Sequence, residues 1–276
     1  MQKLGLLLFL SILFYPLTAS QSIASAEEER VNPMPSTSVK NDKEVWLHPT
    51  IHSTTEPRWI STHLWGEASK AMEVMEVMEV MEVMEATAAK QLYDEMQLEG
   101  EVDQTAFLQA WTGYQRITEK KKPILTLIDF TKPSTEERLF VFDLEQKKLL
   151  FTSVVAHGKN SGGNYATSFS NKVGSYQSSL GFYLTGHTYQ GRNGYSLLLD
   201  GLEKGINDRA RERAIVVHGT AYANPSVCRS GRLGRSFGCP ALPQALTRPI
   251  INAIKDGSVL FIYANQPEYN QHSTIL

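Results

Sequence analysis

The stretch PILTLIDFTKPSTEERLFVFDLEQKKLLFTSVV, residues 123–155, decides the fold. Residues 124–128, 139–142 and 149–155 are short apolar runs rich in Val, Ile, Leu, Phe and Thr, separated by turn-forming residues. Runs of that length are strands, too short for independent helices. The last two read as a hairpin joined through residues 143–147. Further strands are expected at 181–185, 196–199, 214–217 and 259–263, with glycine-rich loops at 158–163 and 191–194. A short helix should follow Pro243, end near Gly257 and be interrupted by Pro249. The sum is a mainly β domain with small helical additions, over residues 121–265, with 266–276 as a tail.

Upstream the period changes. Leu92, Tyr93 and Met96, then Phe107, Leu108, Trp111 and Tyr114, recur at helical spacing on either side of Gly100. Residues 88–120 therefore read as a helical hairpin packed on the β domain. Before it, Met-Glu-Val repeats at 72, 75, 78 and 81, and Met84-Glu85-Ala86 follows. A period of three drifts by about 60° per repeat on a 3.6-residue helix, and glutamates three apart repel one another. Residues 27–87 are read as a low-complexity linker carrying that repeat. Residues 1–26 read as a cleavable signal peptide: Lys3, an apolar run from Leu4 to Tyr15, Pro16, and Ala24-Ser25-Ala26 before Glu27. An exported chain without stable membrane insertion is the expectation.

The net charge of −2 hides a division. Residues 27–119 hold 18 Asp/Glu against 7 Lys/Arg, and residues 120–263 hold 19 Lys/Arg against 10 Asp/Glu. A basic domain in an exported chain points to an anionic partner such as cell-wall carboxylates. Nucleic acid is disfavoured, because no basic helix or aromatic stacking pattern accompanies the charge.

The chemistry-bearing residues lie near the C-terminal end. The strand at 214–217 runs into His218-Gly219, and GRLGRSFGCP follows at 231–240, ending in Gly238-Cys239-Pro240. A thiol is a poor nucleophile at neutral pH until a histidine or a nearby cation activates it. Arg229, Arg232 and Arg235 lie in the same loop, and backbone N–H groups around Gly238 and Cys239 are candidates for an oxyanion hole. On spacing alone, a lone cysteine and a lone histidine are more often structural than catalytic.

The residues from about 124 to 263 closely resemble the L,D-transpeptidase (YkuD-like) family, in its murein L,D-transpeptidase catalytic domain branch. The resemblance is carried by AHGKNSGGNYATSFSN (156–171), GSYQSSLGFYLTG (174–186), YSLLLDGLEKGIND (195–208), RARERAIVVHG (209–219) and GRLGRSFGCPALP (231–243). It implies a β-sandwich or barrel preceded by a small helical segment. It also implies a cysteine acyl-transferase acting on peptidoglycan tetrapeptide stems through a thioester, without cofactor, in the periplasm. His218 matches the base, Gly219 the residue whose carbonyl orients it, and Cys239 the nucleophile; Ser236 and Gly238 complete the signature. Most of the wider family has a histidine before the Gly-Cys pair and an arginine two places after the cysteine, where this chain has Phe237 and Ala241. Arg235 or Arg232 is the candidate replacement for substrate binding.

Four other readings stay open at this point. Cys228 and Cys239 could form a disulfide, structural or reversible. His157, His187 and His218 invite a zinc site, but their spacing matches no compact ligand motif. Water as acceptor would make the protein an L,D-carboxypeptidase, and without cysteine chemistry it would be a peptidoglycan-binding module. The acceptor and the oligomeric state are not legible.

Overall fold

The computed structural model describes residues 58–276, with side chains from residue 67 onward. The expected signal peptide and the first part of the linker lie outside the described residues.

Eight strands form one sheet: β1 (Ile124–Asp129), β2 (Leu139–Asp143), β3 (Lys148–Ser153), β4 (Gly181–Gly191), β5 (Gly194–Gly201), β6 (Val216–Thr220), β7 (Ala241–Pro243) and β8 (Val259–Tyr263). Their order is β3-β2-β1-β8-β4-β5-β6-β7. The β1–β8 and β6–β7 pairs are parallel and the rest antiparallel. Just past β3, Ala156 exchanges backbone hydrogen bonds with Ala241 of β7, at 2.8 and 3.2 Å. The sheet is thereby nearly closed into a barrel, as expected of a mainly β chain. β1 and β8 are buried along their whole length at its centre, which is why both read as continuous apolar runs.

The 143–147 hairpin is made by Asp143, whose Oδ1 accepts from the N–H groups of Glu145 and Gln146. That is a local turn chemistry specified by one residue. β4 and β5 are longer than the apolar runs that announced them, because their distal halves extend into solvent. β7 was not expected at all.

Helix α1 (Arg58–Glu95) runs unbroken through the repeat and through the boundary expected between residues 87 and 88. Helix α2 (Gln104–Arg116) starts at Asp103, whose side chain caps the Ala106 N–H at 2.8 Å. It buries Ala106, Phe107, Ala110, Gly113 and Tyr114. Phe107 meets Phe142 edge-on at 5.2 Å, and burial of one such ring contributes about 2–3 kcal/mol. Gly113 lets α2 approach the sheet: a Cβ there would lie 2.0 Å from the Phe182 ring, itself stacked on Phe261 at 4.1 Å.

Helix α3 (Gln244–Ile254) is continuous, so Pro249 lies inside it and does not interrupt it. Burial of Thr247, Ile250, Ile251 and Ile254 on one face holds the helix despite the backbone hydrogen bond that proline forfeits. The C-terminal residues carry a short helix, α4 (Pro267–His272), whose Tyr269 is buried. Tyr269 Oη donates to the buried Glu203 carboxylate, at 3.0 Å to Oε2, and Ser273 Oγ donates to Oε1 at 2.5 Å.

Candidate active site

The parallel register of β6 against β7 sets the site. His218 lies opposite Ala241, so Cys239, two residues earlier, falls beside Val216. Cys239 stands in the bend just before β7, and its side chain and that of His218 line one cleft. That cleft, about 360 Å3, is lined by Cys239, His218, Ser236, Phe237, Arg235, Arg213, Ala214, Tyr222 and Asn193.

His218 is 4% exposed. Its Nδ1 faces the Gly219 carbonyl at 3.2 Å, and a carbonyl can only accept, so Nδ1 carries the proton. Burial lowers the imidazole pKa, partly offset by that bond, so the ring is neutral at neutral pH with Nε2 as an available acceptor. Gly219 is required there: a Cβ would lie 2.2 Å from Thr247 Oγ1.

Cys239 is half-buried and its thiol donates to the Ala214 carbonyl at 3.6 Å. Burial pushes the thiol pKa up, while a backbone contact from Val216 and the charge of Arg213 pull it down less. The resting pair is therefore a thiol and a neutral imidazole. The turn that presents the sulfur is tied atom by atom. Ser236 Oγ donates to the Cys239 carbonyl at 2.7 Å and accepts the Gly238 N–H at 3.1 Å, and Ser178 Oγ donates to the Gly238 carbonyl at 3.1 Å. Gly238 has φ +125°, and a Cβ on it would lie 2.7 Å from the Gln177 carbonyl oxygen. Its N–H is committed to Ser236, so of the two amides considered for an oxyanion hole only that of Cys239 has no partner among the described residues.

The expected arginines separate. Arg235 lines the cleft, its Nη1 donating to the carbonyls of Lys159 and Gly162. Arg232 is exposed, bonds the Leu233 carbonyl and does not line the cleft. Four lining residues were not singled out from sequence. Arg213 donates to Ser170 O, Ser179 Oγ, Ser175 Oγ and Gln177 O, and so fixes the 170–179 loop beside the sulfur. Ala214, Tyr222 and Asn193 are the others. Burial, with the nearby Cys239, pushes the Tyr222 phenol up to about 12. The RARERAIVVHG motif already placed Arg213 five residues before His218, which was the available signal.

Behind the cleft lies a buried polar pair also missed from sequence. Arg138, fully buried, donates to Val155 O, Lys132 O and, at 2.8 Å, His157 Nδ1. Burial and this cation lower His157 to about 4, so it is neutral. The His157 carbonyl accepts the Ser236 N–H at 2.9 Å, which links the pair to the cysteine turn. His157, His187 and His218 do not converge: among the described residues no group of three His, Cys, Asp or Glu could hold a metal ion. Cys228 and Cys239 are both free thiols, Cys228 packing beside Val154, Ala156 and Leu233.

A nearly closed sheet with a cysteine and a histidine lining one cleft defines this mainly β protein and its candidate site. A family model described as the L,D-transpeptidase catalytic domain matches residues 98–263. The chain belongs to the L,D-transpeptidase catalytic domain family. Among solved structures, an L,D-transpeptidase from Mycobacterium smegmatis is 11% identical, with TM-score 0.32, 51% of this chain and 59% of that chain being covered. One titled as an L,D-transpeptidase from Stackebrandtia nassauensis is 16% identical, with TM-score 0.31 and 66% and 79% covered. A helical cell shape determining protein from Campylobacter jejuni is 13% identical, with TM-score 0.37 and 57% and 55% covered. The chain thus spans 59% of the first of these structures. No curated protein matches the sequence. No helix among the described residues is long and apolar enough to cross a membrane.

Proposed function

We propose that the protein is an exported cysteine acyl-transferase that remodels peptidoglycan tetrapeptide stems, with Cys239 as nucleophile, His218 as base and Gly219 as its orienting partner. The observation that supports this best is that Cys239 and His218 line one cleft. The chain's division would follow: a signal peptide over 1–26, a linker, the helical hairpin, and a catalytic domain from 121.

In the resting state the thiol proton points to Ala214. Substrate entry turns the sulfur toward His218 Nε2, which takes that proton as Sγ attacks the carbonyl of the L-to-D peptide bond. The oxyanion is met by the Cys239 N–H. The C–N bond then breaks, and His218 returns its proton to the departing D-alanine amine. The remaining acyl group is a thioester on Cys239. An amine from a neighbouring stem attacks it, His218 takes the amine proton, and a new amide forms as the thiol is restored. Arg235, Ser236 and Gly238 shape the donor side of the cleft.

The test is incubation of purified protein with isolated cell wall and with soluble tetrapeptide stems. Wild type should release D-alanine and give new L,D-linked dimers, and a covalent adduct should appear on Cys239 by mass spectrometry. Cys239→Ala should lower release by at least about a thousandfold, since the covalent route is removed. D-alanine release without dimers would assign carboxypeptidase chemistry. Equal product from wild type and Cys239→Ala would overturn the reading.

A further inference from the structure

At Phe237, which lines the cleft, stands an arrangement that the reaction above does not use; its other members, Lys159 and Tyr176, flank Phe237 outside the lining. Phe237 is 64% exposed, and its ring sits 4.7 Å from that of Tyr176. The ammonium of Lys159 lies over both, 4.2 Å from the Tyr176 centroid and 4.7 Å from the Phe237 centroid. Lys159 is not loosely hung: its backbone N–H donates to the Ser236 carbonyl at 2.8 Å, beside the bridge between Gly158 and Ser236.

What singles out Lys159 is what its charge does not do. Arg213 spends its guanidinium on four oxygens of the 170–179 loop. Arg235 holds two carbonyls of the 158–163 loop. The Lys159 ammonium has no hydrogen bond or ion pair among the described residues and touches only the faces of two rings. Ring faces hold a cation in place without saturating its three N–H donors. Two aromatic residues are thereby left in solvent, one of them lining the cleft, an arrangement that costs apolar exposure and is explained by a ligand.

We propose that Lys159, positioned by Tyr176 and Phe237, is the specificity-determining cation of this cleft and binds a carboxylate of the peptide stem. This rests on the stem-directed reading above and deepens it: the chain recognises anionic stems with a lysine on an aromatic platform, and Ala241 needs no polar replacement. Two carboxylates carry the required chemistry, the terminal one of D-alanine and a side-chain one on the preceding residue.

Lys159 is exposed, so its replacement leaves the fold intact. Steady-state D-alanine release should be compared for wild type, Lys159→Met, Lys159→Arg and Arg235→Met. Each is run on stems with both carboxylates free, with the terminal one amidated, and with the side-chain one amidated. For the free stem, Lys159→Met should raise KM about tenfold with kcat within about threefold, the loss of one charge-assisted contact. Lys159→Arg should restore most of the affinity. In wild type one amidated stem should be discriminated against by a similar factor, which identifies the carboxylate, and Lys159→Met should lose that discrimination. If Lys159→Met keeps the wild-type acid-to-amide ratio, or if Arg235→Met alone abolishes it, the proposal is wrong. If wild type turns over no stem, the reaction reading fails separately. Calorimetric binding of the tetrapeptide to Cys239→Ala and to Cys239→Ala/Lys159→Met then decides, equal affinities overturning the proposal.

Discussion

The most regular stretch of this chain and one of its least regular make opposite use of their residues. In α1, Met72, Met75, Met78, Met81 and Met84 and the valines between them are all exposed. Each three-residue step turns the helix by about 300°, so every apolar row winds around the axis and no stripe faces the core. Only where the repeat ends do Ala89, Leu92 and Tyr93 reach the core. The turn at 236–241 has no period at all, yet Ser236, Gly238, Pro240 and Ala241 are buried, and the Gly238 amide and the Gly238 and Cys239 carbonyls each have a specific partner. The repeat reaches no core, whereas the irregular turn is held by individual hydrogen bonds.

Substitution can break that contrast. The largest effect is expected for Gly238→Ala, which forces a side chain into φ +125° and against the Gln177 carbonyl. A stability loss of about 2–3 kcal/mol in urea titration should accompany at least a hundredfold loss of D-alanine release. Tolerance of alanine there would show the turn to be loose.

The pair behind the turn gives the next effect, read through pH. His157 takes its proton at about 4 when folded and near 6.5 when unfolded. Between those values the unfolded chain binds the extra proton, so stability is present above 6.5 and falls as pH drops toward 4, by up to about 3 kcal/mol. Denaturation midpoints across that range should show the slope, and His157→Gln should flatten it.

A smaller shift concerns Cys239. With the thiol raised by burial, iodoacetamide labelling of native protein should climb only at alkaline pH, above the ordinary thiol range, and Arg213→Met should move the climb higher. A plateau already reached at neutral pH would show a standing thiolate. Smallest of all, Met75→Gln/Met78→Gln should change stability by no more than about 0.5 kcal/mol, because those side chains are exposed. A larger loss would mean that the repeat is covered by something.

Strand positions were legible because burial forces apolar runs at β1, β2 and β8, and the capped helix α2 announced itself by spacing. The pair that shares the cleft was legible where motif and glycine coincide, at His218-Gly219 and Gly238-Cys239. β7 was hidden because its three residues, Ala241–Pro243, carry no period. Arg213, Arg138 and His157 were hidden for another reason: their roles depend on carbonyls and hydroxyls far along the chain, which the sequence order does not bring together. Pro249 misled because the local rule against proline in a helix was outweighed by a buried isoleucine face.

The closing of the sheet through Ala156 and Ala241 also has a temporal meaning. Those contacts join distant parts of the chain, and long loops must close before they form. We expect the cleft to be assembled among the last steps of folding, after the β1–β2–β3 meander, so that the thiol acquires its partners only when the barrel is complete. Pulse labelling of Cys239 during refolding should show its protection trailing the burial of β1; simultaneous protection would contradict this order. A cleft that exists only on completion presents no half-built site along the way.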